Sequence, residues 1–98
     1  MIKLNYLEKK FEIIPELSRS NSKEFLDIIL DFQNAAEQYK VTFSETDKPL
    51  LQHAFNTFIQ FNNDPDISEE EKDEYFLDSQ EWLIIMAEQV IEHLKKIH

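Results

Sequence analysis

Glycine is absent from this chain of 98 residues, and its absence removes whole classes of structure. Phosphate-binding loops of the P-loop and dinucleotide types need glycine where the backbone approaches the ligand, and tight two-residue hairpins need residues at positive φ. Helices lose nothing without glycine. The sequence therefore predicts an all-α protein and argues against nucleotide-binding enzymes of those types.

The apolar content is high enough for a folded core, since 42% of the residues are hydrophobic and eight of them are phenylalanines. At this length we expect a single domain that buries about two-thirds of the surface of the unfolded chain. Cysteine is also absent, which excludes disulfides and is typical of the reducing cytoplasm. Charges between Lys3 and Glu12 interrupt the first segment, and no apolar run is long enough to span a membrane. We therefore expect a cytoplasmic protein without a membrane segment.

Apolar residues recur at helical spacing in four segments that are separated by short connections. The predicted helices cover residues 3–14, 22–40, 48–62 and 69–97. Pro15 is expected to end or kink the first helix. Asn21 with Glu24 is expected to form a capping box for the second helix, with Ser20 or Ser22 as the alternative cap. Because the connections are short, consecutive helices should lie antiparallel, in a single-domain up-down four-helix bundle with a long C-terminal helix.

The fourth helix is the longest, with a predicted length of about 43 Å. Ser68 and Glu71 form a capping box at its start, and three successive glutamates place negative charge where the helix dipole favours it. Its apolar residues cover more than half of the helix circumference, so the helix is expected to pack from more than one side. Asp78 with Glu81 leaves open a second possibility, in which the helix restarts near its middle.

Acidic residues occupy one side of this helix, opposite the apolar arc and within a sector about 100° wide. This set, called the acidic stripe below, consists of Glu71, Glu74, Asp78, Glu81, Glu88 and Glu92. From Asp64 to Glu92, eleven acids accompany Lys72 as the only cation, so this segment carries a net charge of −10, equal to that of the whole chain. Such a field attracts a basic protein and repels nucleic acid.

Two apolar side chains are predicted to lie within or beside the acidic stripe. Ile85 projects into its middle, and Trp82 lies at its edge. An apolar centre within a charged rim is the usual anatomy of a specific interface, although single exposed isoleucines also occur without a function. The residues predicted to bind a protein partner are Glu71, Glu74, Asp78, Glu81, Trp82, Ile85 and Glu88.

A calcium loop is the first alternative for the run of carboxylates, because Asp64, Asp66 and Ser68 match its first, third and fifth positions. The match then fails: Glu69 stands where glycine makes the sharp turn, and Tyr75 stands where a bidentate glutamate is required. The histidines lie in neither a His-Glu-x-x-His nor a Glu-x-x-His pattern. We predict no metal site and no cofactor.

No catalytic site is predicted either. The chain has no cysteine nucleophile and no Gly-x-Ser-x-Gly elbow. Its carboxylates face water instead of pairing in a cleft, where acid–base catalysis would need them. The serines are expected to cap helices, with Ser79 as a further candidate beside Ser20, Ser22, Ser44 and Ser68. The chain is therefore not expected to be an enzyme.

These features favour a small acidic protein-binding module. In its most concrete form the module inhibits an enzyme that acts on nucleic acid, its carboxylates taking the place of phosphates in a cationic cleft. In size, helicity and acidity the chain is similar to bacterial immunity proteins, which neutralise nuclease toxins in this way. No sequence motif carries this similarity. The alternative is a structural or regulatory bundle that forms a homodimer through Ile85, Leu26 and Leu30.

Overall fold

A computed structural model describes residues 2–97, and their regular structure is entirely helical. Two short 3-10 turns, Ile14–Glu16 and Arg19–Asn21, connect the first helix to the second. The four α-helices are α1 (Leu4–Ile13), α2 (Ser22–Gln38), α3 (Asp47–Phe61) and α4 (Glu69–Ile97). The predicted all-α fold of four helices is confirmed. Met1 and His98, which the predicted domain includes, lie outside the described residues.

Helix α2 ends at Gln38, two residues before the predicted end, because Lys40 adopts the left-handed conformation with φ of 55°. The Val41 N–H donates to the Ala36 carbonyl at 2.8 Å, and the Lys40 N–H donates to the Glu37 carbonyl at 3.3 Å. This pattern is a Schellman motif, in which glycine usually occupies the left-handed position. A chain without glycine places a lysine there and bears the steric cost of its Cβ.

The two predicted capping boxes have different outcomes. At the start of α4, the Ser68 Oγ accepts a hydrogen bond from the Glu71 N–H at 3.2 Å, so the predicted serine cap is confirmed, whereas the reciprocal bond from the Ser68 N–H to the Glu71 carboxylate is not formed among the described residues. The prediction for Asn21 is wrong, because its side chain makes no cap for α2 and instead accepts the Ser18 N–H at 3.1 Å. A 3-10 turn runs directly into α2, and the Ser22 N–H already bonds to the Arg19 carbonyl of that turn.

Helix α4 is continuous over 29 residues, so the restart near Asp78 does not occur. Its length of about 43 Å nearly matches the 46 Å long axis of the molecule. Ser79 is not a cap, since it lies within the helix, fully buried and with no partner for its hydroxyl. Among residues 2–97, no helix, including the long α4, is both long enough and apolar enough to cross a membrane.

The core is centred on α4, which contacts each of the other three helices. Three phenylalanines from three helices meet at one end of it. The ring of Phe25 on α2 lies 5.1 Å from that of Phe58 on α3 and 4.7 Å from that of Phe76 on α4. Each of these rings is at least 96% buried, and aromatic pairs at these distances are worth about 0.5–1.5 kcal/mol beyond their burial.

Helix α1 is attached to its neighbours by polar contacts as well as by the core. The Gln80 Nε2 on α4 donates to the Ile14 carbonyl at 2.7 Å and to the Leu17 carbonyl at 3.3 Å, which satisfies backbone groups left open where α1 ends. On its other side, the Tyr6 hydroxyl donates to Asp31 of α2 at 2.8 Å. These contacts hold α1 alongside both α2 and α4.

The segment between α1 and α2 is also tied to the start of α4, through Arg19. Its Nη1 lies 2.7 Å from a carboxylate oxygen of Glu69 and 3.0 Å from one of Asp73. The guanidinium hydrogen bond, with its charge and that of Lys72, lowers the pKa of the Glu69 carboxyl. Glu69 is exposed, so the pair acts mainly to orient the segment.

Replacement of Phe25 by alanine should lower the free energy of unfolding by about 3–5 kcal/mol, because it opens a cavity between α2, α3 and α4. Urea denaturation followed by circular dichroism measures this loss. Leu77→Ala is the matched control, since Leu77 is 60% exposed and should change stability by less than about 0.5 kcal/mol. Equal losses in the two variants would contradict the assigned core.

Replacement of Arg19 by glutamine should raise the pKa of Glu69 towards its ordinary value, because the guanidinium that stabilises the carboxylate is gone. The lowered pKa in the folded state contributes stability above the ordinary pKa, and this contribution disappears as the pH falls through the folded value. An NMR titration of the Glu69 side chain measures the change. Lys23→Gln is the control and should leave the Glu69 titration where it was.

A candidate protein-binding surface on helix α4

All six carboxylates of the acidic stripe lie on the exposed side of α4. The continuous helix brings Glu71 and Glu92, at opposite ends of the stripe, onto the same side of the molecule. Within residues 2–97, none of the six forms an ion pair. One hydrogen bond reaches the stripe, from the Tyr75 hydroxyl to Glu71 at 3.5 Å. The stripe is therefore a row of solvated negative charges.

The cations near the start of α4 pair with acids outside the stripe. Arg19 bonds to Glu69 and Asp73, and the Lys72 Nζ lies 3.6 Å from Glu69. Lys72 is only 7% exposed, and its ammonium is directed to Glu69, which lies outside the stripe. The single lysine within the acidic segment thus leaves the stripe uncompensated.

The two predicted anchors are both half-buried, and they have different surroundings. Trp82 packs against the core, so its ring is fixed in position. Ile85, expected from the projection to stand in the middle of the water-facing stripe, is partly covered because α1 lies beside it. A half-buried side chain presents apolar area whose position is already set, which lowers the entropic cost of binding.

A groove of about 520 Å³ runs between α1 and α4 and contains Ile85. Its buried and half-buried apolar residues, which form the floor, are Phe11, Ile85 and Ile91. Carboxylates from both helices form its rim: Glu8, Glu12, Glu88 and Glu92. Gln89 and Lys95 complete the lining, and Lys95 lies 3.7 Å from Glu8. We call this the α1–α4 groove.

The contribution of α1 to this surface is what the sequence reasoning missed. Glu8 and Glu12 belong to the electrically balanced remainder of the chain, so the charge count does not single them out. The spacing of residues 8, 11 and 12 does indicate that they share one side of a helix, with two acids beside an aromatic ring. The sequence does not show which helix this side would meet. The structure joins these residues to Ile85, Glu88 and Glu92.

Asp64 and Asp66, which resemble calcium ligands in sequence, form a hydrogen bond that orders the loop before α4. The Asp64 Oδ1 accepts the Asp66 N–H at 2.8 Å, a local turn that orders the approach to Ser68. In the part of the chain that the structure describes, no three His, Asp or Glu side chains are grouped to hold a metal ion.

The residues considered for self-association do not form one patch. Ile85 lines the α1–α4 groove, whereas Leu26 lines a separate groove between α2 and α3, together with Ile59. Leu30, one turn after Leu26, is 45% exposed, and Ile59 is 50% exposed. An apolar contact surface without Ile85 is therefore available on the α2–α3 side.

Comparisons with known proteins gave no match of any of the three kinds sought: no family model, no curated protein and no solved structure is significantly similar to this chain.

Proposed function

We propose that this protein is a small acidic binding module that docks on a basic protein through α4. Its most concrete form is an immunity protein that neutralises a nuclease-type toxin by filling the toxin's cationic cleft. The observation that carries the proposal is the acidic stripe, six exposed carboxylates on one side of a rigid helix with no cation paired to them within residues 2–97. The proposal assigns no catalytic activity, and it places the protein in the cytoplasm.

The energetics of α4 favour a partner. Like charges three and four residues apart on a helix destabilise it by about 0.2–0.5 kcal/mol per pair. A basic surface relieves this repulsion, and an unscreened field of one sign raises the rate of association with such a surface. Solubility alone needs net charge but does not need it aligned along one helix.

Specificity requires more than charge, and Trp82 with Ile85 provides it in this proposal. Tryptophan is enriched among residues that dominate binding energy, and such residues lie near the centre of an interface inside a rim of charge. Trp82 and Ile85 lie beside the middle of the acidic stripe, with carboxylates before and after them along α4. The toxin-facing surface therefore consists of Glu71, Glu74, Asp78, Glu81, Trp82, Ile85 and Glu88.

The up-down antiparallel order of the helices is the arrangement we propose for presenting this surface. Three contacts support it. The Gln38 side chain, at the end of α2, lies 3.4 Å from the Ile2 N–H at the start of the chain. Phe58 near the end of α3 meets Phe76 near the start of α4, and Lys95 near the end of α4 meets Glu8 on α1.

Self-association is a second candidate function, and the exposed apolar side chains between α2 and α3 favour it. Leu30 and Ile59 each expose about half of their surface, and Leu26 lies beside Ile59. In this alternative the protein is a structural or regulatory homodimer, and the acidic stripe serves only solubility.

The acidic stripe is tested by reversing Glu74, Asp78 and Glu81 to lysine together. The triple variant should keep its helical circular dichroism signal, because all three side chains are exposed and none of them is paired. Its affinity for the basic partner captured from the native host at low salt should fall by roughly a hundredfold or more. Inhibition of that partner's nuclease activity on plasmid DNA should be lost in parallel.

The matched control reverses Glu16, Glu37 and Glu45, which are exposed, lie outside α4 and change the net charge by the same amount. This control should retain most of the capture and the inhibition. Equal capture by wild type and the stripe variant would remove the proposed function, since no docking would then depend on the stripe.

The self-association alternative is tested with Leu30→Asp and Ile59→Asp in one chain. Sedimentation velocity of the wild-type protein over a range of concentrations shows whether a dimer forms. A dimer through the α2–α3 side should dissociate in this variant and persist in the stripe variant, because the aspartates would be buried without partners at the contact. A monomer at every concentration contradicts the alternative.

A further inference from the structure

The α1–α4 groove combines two features that one kind of side chain can use together. Its floor is apolar, with Phe11 and Ile85 half-buried, and carboxylates stand on both of its sides. An arginine can lay its methylene stem along an apolar floor while its guanidinium stays at the charged edge. Its planar fork can also bond to two carboxylates at once.

We propose that the α1–α4 groove is a receptor for arginine side chains presented by the partner protein. The inference rests on the proposed function, because it identifies how the acidic surface recognises a basic protein. Arginine is favoured over lysine because its planar guanidinium presents five donors in a fixed fork, which suits carboxylates from two helices, whereas the lysine ammonium is a compact and more strongly hydrated point charge. The volume of about 520 Å³ lies in the range of small-ligand pockets, about 300–1,000 Å³.

The charges around the groove leave three of its four carboxylates open to an incoming guanidinium. Lys95, the cation in the lining, lies 3.7 Å from Glu8 and partly satisfies that carboxylate. Within residues 2–97, Glu12, Glu88 and Glu92 have no ion-pair partner. The carboxylates open to an incoming guanidinium are therefore those of Glu12, Glu88 and Glu92.

The sides of the groove are fixed before any partner arrives. Beyond the groove, Gln80 of α4 donates to the carbonyls of Ile14 and Leu17, which follow α1, and within the groove Lys95 reaches Glu8. The floor residue Ile91 is 93% buried. A site that is already formed loses less entropy on binding, so its contacts contribute more to the affinity.

The test uses two short acetylated and amidated peptides, one of alternating arginine and alanine, the other with lysine at every arginine position. Isothermal titration calorimetry at low ionic strength measures both affinities. The arginine peptide should bind at least about threefold more tightly, because the guanidinium is less strongly hydrated than an ammonium and holds five donors in a fixed fork for the carboxylates. NMR resonances of Ile85 and Phe11 should shift on binding. Equal affinities, or shifts confined to the first half of α4, would overturn the proposal.

Two variants with the same change in net charge separate the groove from the rest of the acidic stripe. Glu12→Lys with Glu88→Lys alters the groove, and Glu74→Lys with Asp78→Lys alters the stripe outside it. The groove variant should bind the arginine peptide roughly tenfold or more weakly than wild type, and the stripe variant less than about threefold. If the groove variant loses helical signal, Glu12→Gln with Glu88→Gln replaces it, compared with Glu74→Gln and Asp78→Asn.

The outcomes distinguish this inference from the function on which it rests. Equal weakening by the groove and stripe variants would overturn the arginine site, because charge at any position would then suffice, and the acidic docking surface would stand. No weakening in either variant would also overturn the arginine site. In that case the toxin-inhibition experiment with the triple stripe variant decides the proposed function by itself.

Discussion

The packing of one side of α4 against α1, α2 and α3 is the constraint from which the other features of the molecule follow. A helix with apolar residues over more than half of its circumference is stable in water only when several elements cover it. The three other helices do so, and Phe25, Phe58 and Phe76 interlock at one end of the core. The uncovered strip that remains is where the acidic stripe lies, so burial and charge are separated along the same helix.

This separation explains why some acids of α4 form ion pairs within the molecule and others do not. Acids at the border of the core meet cations, as Glu69 and Asp73 meet Arg19. Acids on the uncovered strip have no ion-pair partner within residues 2–97, and their mutual repulsion lowers the stability of the helix slightly. The covered side of α4 thus determines which carboxylates are neutralised within the molecule and which can interact with a partner.

The position of α1 adds shape to what would otherwise be a flat charged strip. A bare helix face offers little concavity, and charge alone confers weak specificity. With α1 beside α4, Ile85 becomes the floor of a groove, and the carboxylates of Glu8 and Glu12 oppose those of α4. Polar contacts from Gln80 and Lys95 of α4 hold the α1 segment beside it, so the groove is already formed before a partner binds.

Much of the helical structure follows from the sequence alone, because periodic apolar residues, Ser68 as a cap and the absence of glycine act locally. Local rules also place the acidic stripe on one side of α4. They fail at Asn21 and Ser79, where a preceding 3-10 turn and burial within the core replace the capping role that the sequence allowed. The α1–α4 groove, the pairing of Arg19 and the presence of Glu12 and Glu88 in one groove were decided only by tertiary structure. These features join residues that are distant in the chain, and the periodicity of one helix contains no information about which neighbour its sides will meet.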